Sequence, residues 1–154
     1  MKQPIPLNDI KSHVRDRAYM SGVERDTLRV KATGEVFTPT ELVQAMLDNL
    51  PQDLFTDPTK TILEPSCGDG QFLGEVLIRK LENNIDFEQA LSTIYGVDLM
   101  QDNVNLCRER LLCGQEHLRH IVERNIVCAN ALTYNYTFGD PELFGPNNLF
   151  ELAS

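Results

Sequence analysis

The chain has 154 residues, 42% hydrophobic and 24% charged, which suits one globular domain with a buried core. Its net charge of −9 argues against a free-standing nucleic-acid clamp, because phosphate is gripped by Lys and Arg. No apolar run reaches the roughly 18 residues of a membrane span and the start does not read as a secretory leader, so a cytoplasmic protein without a membrane partner is expected.

The charge is uneven. Residues 1–34 hold seven Lys or Arg against four Asp or Glu, a balance of +3 that leaves −12 on the rest. DNA is therefore expected to be met only through a partner, or weakly through this basic segment. Residues 7–20 have the spacing of an amphipathic helix, with Asn8 or Asp9 as cap and Ile10, Val14 and Ala18 along one side. Arg15, Arg17, Arg25, Arg29 and Lys31 read as a solvated surface, with phosphate contact as the alternative.

A sharper signal follows at residues 34–41. Thr38, Pro39 and Glu41 have the spacing of a capping box: a threonine cap, a proline at the first helical position, and a glutamate three residues after the cap. The helix it starts carries Leu42, Val43, Met46, Leu47 and Leu50 at helical spacing and is closed by Pro51. Phe37, just outside the cap, is either a hydrophobic staple against Leu42 or a ligand-facing aromatic.

Residues 51–60 read as a loop, and residues 61–73 organise the rest. There a short β-branched strand ends in Glu64, Gly68 and Gly70 supply a sharp turn, and a helix opens. That helix directs Leu73, Val76, Leu77 and Leu81 inward and Glu75, Arg79 and Glu82 outward. Its amino terminus aims N–H groups and partial positive charge at the turn. After Asn83-Asn84 a short helix is expected over 86–93, then a second strand over 94–98 that again ends in an acid, Asp98. An acid at that tip can accept hydrogen bonds from two adjacent ribose hydroxyls. It stands 28 residues past Gly70 against the usual spacing of roughly 20, and the extra short helix accounts for the difference.

Asp102 is the expected cap of a helix running to Leu112, with Val104, Cys107 and Leu111 aligned, and residues 117–123 extend the helical region. A third strand is expected over 126–130. From Thr133 the chain is aromatic and punctuated by Gly and Pro. Strands alternating with helices predict an α/β fold with a parallel sheet and right-handed crossovers. Cys67, Cys107, Cys113 and Cys128 have no paired metal-ligand spacing and read as small hydrophobes in a reducing compartment; His117 and His120 read as surface residues, and no metal is expected.

Four stretches together resemble, in order, the cofactor-binding part of S-adenosylmethionine-dependent, adenine-specific DNA methyltransferases. The likeness is to the kind whose cofactor motifs precede the catalytic one, as in methylation subunits of restriction–modification systems and phage DNA methylases. Residues 34–39 resemble the leading motif, which implies that Phe37, Thr38 and Pro39 lie beside the cofactor. Residues 63–73 resemble the main glycine motif, which implies that Glu64, Pro65, Gly68, Asp69 and Gly70 cradle its methionine end. Residues 95–98 resemble the ribose motif, carried by Asp98 with Leu99 behind it, and residues 128–132 resemble the adenine-contacting motif, carried by Asn130 and Ala131.

The resemblance implies S-adenosylmethionine as cofactor and a Rossmann-like class I methyltransferase sheet, incomplete, with its first three strands and flanking helices. Three regions follow: a helical, basic segment over 1–33, the cofactor domain over 34–132, and a tail over 133–154. There are two departures. Asn130 stands where the family more often has Asp, and the catalytic Asp/Asn-Pro-Pro-aromatic tetrapeptide is missing. Asp140-Pro141-Glu142-Leu143 is the nearest approach and reads as a turn. The expectation is thus a truncated or split methyltransferase, inactive alone.

The alternative is a non-catalytic relative whose acidic body binds or inhibits a host restriction or methylation enzyme. A nicotinamide-dinucleotide domain fits less well, because Leu73 replaces the third glycine of that fingerprint. The strand at residues 61–65 is expected to be central, flanked by residues 148–152 as a fourth strand, by a second chain, or by another copy in a homo-oligomer.

Overall fold

The computed structural model describes residues 5–16 and 38–140. The expectations for Phe37, for the basic residues from Arg17 to Lys31 and for a strand over 148–152 lie outside these residues. Helix α1 spans Leu7–Arg15 and buries Ile10 and Val14. Its start is held by main chain, since the Asp9 and Ile10 amides donate to Pro6 O, so neither Asn8 nor Asp9 is the cap. Helix α2 spans Thr40–Asp48 with Pro39 as its cap residue. The capping box does not form: the helix starts one residue late, and Thr40 Oγ1 instead accepts a bond from Gln71. Only Val43 and Leu47 of α2 are buried, while Leu42 and Met46 stand 53% and 48% exposed. The helix meets its neighbours along a narrower stripe than its composition suggests.

The expected loop over 51–60 contains a short helix, α3 (Asp53–Thr56), which buries Phe55 beneath the Arg79 guanidinium. Strand β1 is Ile62–Glu64, helix α4 is Gln71–Glu82, and helix α5 is Phe87–Ser92, capped by Asp86. Strand β2, Ile94–Asp98, is buried along its whole length. Helix α6 (Gln101–Leu112) closes through Cys113 and Gly114, both in the left-handed region. A 3₁₀ turn over Glu116–Leu118 leads into α7 (Arg119–Asn125) and strand β3 (Ile126–Cys128).

The three strands are parallel in the order β1-β2-β3, with Glu64 level with Gly96 and Asp98 level with Cys128. This is the expected α/β architecture, an open parallel sheet of Rossmann-like character flanked by helices. Among the described residues β2 is the central strand, and β1, expected to be central, pairs only with β2. Leu63 and Glu64 are accordingly half-buried.

Alternation along β2 sends its side chains to two cores. Ile94 joins the large one, where Leu73, Val76 and Leu77 of α4, Val104 and Leu111 of α6, and Ile10 and Val14 of α1 meet. Tyr95 and Val97 face the other side, where Phe138 is buried against them with Tyr134 and Tyr136 around it. The aromatic segment after Thr133 thus lies as a strap across the second sheet face, tied by the Tyr136 hydroxyl to Ala131 O at 2.6 Å.

Three charges expected outside, or unassigned, are in the core: Glu75, Lys80 and Arg110. Glu75, predicted to face solvent, is 3% exposed and takes a two-pronged contact from Arg15 at 2.9 and 3.1 Å. Lys80 is fully buried and donates to Lys60 O and Thr93 Oγ1. A buried charge needs such partners, and here they come from other elements.

Candidate functional site

The carboxyl ends of three parallel strands open on one side of the sheet, and the turn between β1 and α4 lies across them. Its main chain is anchored to β2, where the Cys67 amide donates to Val97 O at 2.9 Å. Next to it the Gly68 amide donates to Asp98 Oδ1 at 3.1 Å. The other carboxylate oxygen, Oδ2, accepts from the Met100 amide at 3.0 Å and from Asn103 Nδ2 at 3.1 Å. Asp98 therefore locks the glycine turn, its own strand tip and the first turn of α6 into one unit, at 9% exposure.

The two turn glycines do different work. Gly68 has φ of 54° and nothing within 4 Å of where a Cβ would stand, so its outer side is open space. Gly70 has φ of 95°, and a Cβ there would lie 3.1 Å from Cys107 Sγ and 3.3 Å from Cys107 Cα. It faces the core, and its lack of a side chain lets α6 pack close. Gly96 is close-packed like Gly70, since a Cβ on it would stand 2.8 Å from Leu73 Cδ1 and 2.9 Å from Cys67 Cβ. That is why the second strand carries a glycine before its acid.

Glu64, at the tip of β1, accepts the Ser66 amide at 3.0 Å, and burial holds its carboxyl above the usual carboxylate range. Pro65 beside it is exposed. Asp69 is 6% exposed and lies 3.6 Å from the buried Arg110 guanidinium, so its charge is directed behind the turn. Contact with the Cys107 thiol, together with burial, pushes the Cys67 thiol well up, which leaves it protonated and a poor nucleophile.

At the tip of β3 the Ala129 amide donates to Asp98 O at 2.9 Å, which brings Asn130 and Ala131 alongside the second strand's acid. Asn130 Oδ1 accepts from the Leu132 amide at 2.9 Å, an Asx turn that also collects the Thr133 and Tyr134 amides on its main-chain oxygen. Leu99 and Leu132 stand 62% and 94% exposed near these tips. Thr38 and Pro39 lead into α2, whose first residue is joined to the first residue of α4 by the bond from Gln71 Nε2 to Thr40 Oγ1 at 3.0 Å. Glu64, Gly68, Asp98, Asn130 and Ala131 thus sit on adjacent strand ends, with Thr38 and Pro39 approaching by way of α4 and Phe37 outside the described residues.

Sequence reasoning gave no role to Asn103, Gln71 or Arg110. The available signal was position: Asn103 stands five residues past Asp98, Gln71 follows the turn directly, and Arg110 lies next to the apolar stripe of α6. No group of His, Cys, Asp and Glu among the described residues could hold a metal ion. A cavity of about 510 Å³ lies elsewhere, against the later turns of α4, where its charges pair with one another, as in Arg15 with Glu75 and Arg79 with Asp48. No described helix is long and apolar enough to cross a membrane.

Parallel sheets bind nucleotide-like ligands at the carboxyl ends of their strands, and here that end carries Glu64 and Asp98 beside the open side of Gly68. The family model for N-6 DNA methylase matches residues 25–141. No solved structure matches the chain at a significant level.

Proposed function

The chain belongs to the N-6 DNA methylase family, and on that premise we propose that it is the cofactor-binding part of an adenine-specific DNA methyltransferase, of the restriction–modification or phage type, and works in the cytoplasm. The observation that carries this reading is the bond from the Gly68 amide to Asp98, with open space over Gly68. A cradle of that shape accepts a ligand where any side chain would fill it. S-adenosylmethionine supplies an activated methyl group on a sulfonium. Glu64 and Asp98 favour its positive charges, Gly68 offers main chain close to its methionine end, and Asp98 has lone-pair capacity left on Oδ1 for a ribose hydroxyl. Asn130 and Ala131 flank the adenine, with Thr38 and Pro39 on the side of α2.

Methylating a base requires a pocket that holds the flipped adenine's amine and stacks its ring. None of the 154 residues forms an Asp/Asn-Pro-Pro-aromatic tetrapeptide. The pocket is therefore supplied by residues outside this sequence, in further chain or in a second protein. That partner also covers the edge of β1 that no strand among the described residues pairs with. The acidic charge of −9 favours a second reading, a non-catalytic relative that occupies a host enzyme's DNA cleft.

Calorimetric titration with S-adenosylmethionine and S-adenosylhomocysteine tests the cofactor reading. Heat of binding and a thermal shift are expected, and their absence at millimolar ligand removes it. Methyl transfer from labelled cofactor to DNA by the purified chain alone would overturn the split-enzyme reading. Inhibition of a restriction enzyme without any cofactor binding would favour the second.

A further inference from the structure

Arg110 is among the largest fully buried side chains, at 1% exposure. Burying a guanidinium is costly unless charge and hydrogen bonds meet it, so its partners show what it holds. Nη1 lies 3.6 Å from Asp69 Oδ1, in the glycine turn. Nη2 donates to Gln71 Oε1 at 2.8 Å, at the first residue of α4, and Nε donates to Val14 O at 2.6 Å, in the last turn of α1. Gln71 passes the connection on to Thr40 at the start of α2.

The approach of α1 depends on a glycine inside α4. A Cβ on Gly74 would stand 2.7 Å from Val14 Cγ1, too close for any other residue without displacing α1. His13 Nε2, 3.0 Å from Glu109 O, joins α1 to α6, beside the bond from Arg110 to Val14 O. The amino-terminal helix is thus seated on α4 and α6 so that its carbonyl meets the side chain that grips the turn.

We propose that Arg110 is a positioning residue through which the seating of α1 sets the shape of the glycine turn, and with it the affinity for the cofactor. This rests on the cofactor reading above. Arg110 touches no ligand. It holds Asp69 between Gly68 and Gly70, and so keeps the Gly68 amide on Asp98 and its outer side open. Lysine in its place keeps the charge facing Asp69 but loses the planar fork that hydrogen-bonds Val14 O and Gln71 Oε1 at once.

The test is calorimetric titration of the full chain with S-adenosylhomocysteine, comparing wild type with Arg110→Lys, Gln71→Met and, as a core control away from the turn, Leu118→Ala. Affinity is expected to fall about tenfold for Arg110→Lys and about threefold for Gln71→Met, and to stay within about twofold for Leu118→Ala after its stability has fallen. A purely structural Arg110 would lose affinity only in step with stability, so Leu118→Ala supplies the comparison. The Gly68 and Asp69 amide resonances of ligand-free protein are expected to move in both site variants and not in the control. Should Arg110→Lys fail to fold, Gln71→Met carries the test alone. Wild-type affinity in the site variants, or equal losses in the control, overturns the proposal while the cofactor reading stands. A wild-type chain that binds nothing overturns both.

Discussion

Replacing Asp98 with Ala removes the carboxylate that joins the glycine turn to α6. Three donors lose their acceptor: the Gly68 amide, the Met100 amide and Asn103 Nδ2. Asn103 is fully buried, so losing its bond to the carboxylate costs about 1–3 kcal/mol, and the two partly hydrated amides about 1 kcal/mol each, for about 3–5 kcal/mol in all. Set against a typical domain stability of about 5–15 kcal/mol, the variant stays folded but weakened. Asp98→Asn keeps the shape but must turn its NH₂ toward at least one of the same donors, at about 1–3 kcal/mol. Cofactor affinity should fall in both, by about 5- to 150-fold for Asp98→Ala, on losing a charged acceptor worth about 1–3 kcal/mol. Urea unfolding followed by circular dichroism gives the first number, and calorimetry with S-adenosylhomocysteine, at a temperature where all variants are folded, gives the second. Unfolding of Asp98→Ala within about 1 kcal/mol of wild type would refute the reasoning, because three bonds to one carboxylate could not then be holding the turn.

The turn glycines should separate by substitution: Gly70→Ala combines left-handed strain of about 1–2 kcal/mol with overpacking of about 1–3 kcal/mol against Cys107, whereas Gly68→Ala carries only the strain. Gly68→Ala should instead lose mainly cofactor affinity, as its methyl enters the open side, and equal thermal losses in the two variants would contradict this division. Lys80 gives a pH test, since burial pulls its amine down to about 8 from 10.5. The unfolded chain then binds more protons between those values, so stability rises with pH across that window, and from pH 7 to 9.5 wild type should gain about 2 kcal/mol relative to Lys80→Met. A difference between the two proteins that does not change with pH would mean that the folded amine titrates normally.

The features legible in the amino-acid sequence are those set by neighbours along the chain. A β-branched strand ending in an acid, two glycines and an apolar helix repeat are local steric facts, and they place Glu64, Gly68 and Asp98 at strand tips without reference to distant residues. The order of strands and helices likewise implies the parallel sheet, because each crossover must return the chain to the same end. Caps and helix faces were less secure. The capping box at Thr38 was lost when Pro39 became the cap residue and Thr40 turned its hydroxyl to Gln71. Leu42 and Met46 remained exposed because the width of a buried stripe depends on what packs against it, not on the helix that carries it.

The buried charges were decided by tertiary structure alone. Periodicity placed Glu75 outside and assigned nothing to Lys80 or Arg110, since a charge enters a core only where other elements bring its partners. Arg110 and Val14 stand 96 residues apart, Arg15 and Glu75 stand 60, and no local pattern encodes either meeting. The same holds for the two sides of the turn: adjacent in sequence and alike in composition, Gly68 opens to solvent and Gly70 backs onto Cys107 because α6, more than thirty residues later, packs against only one of them.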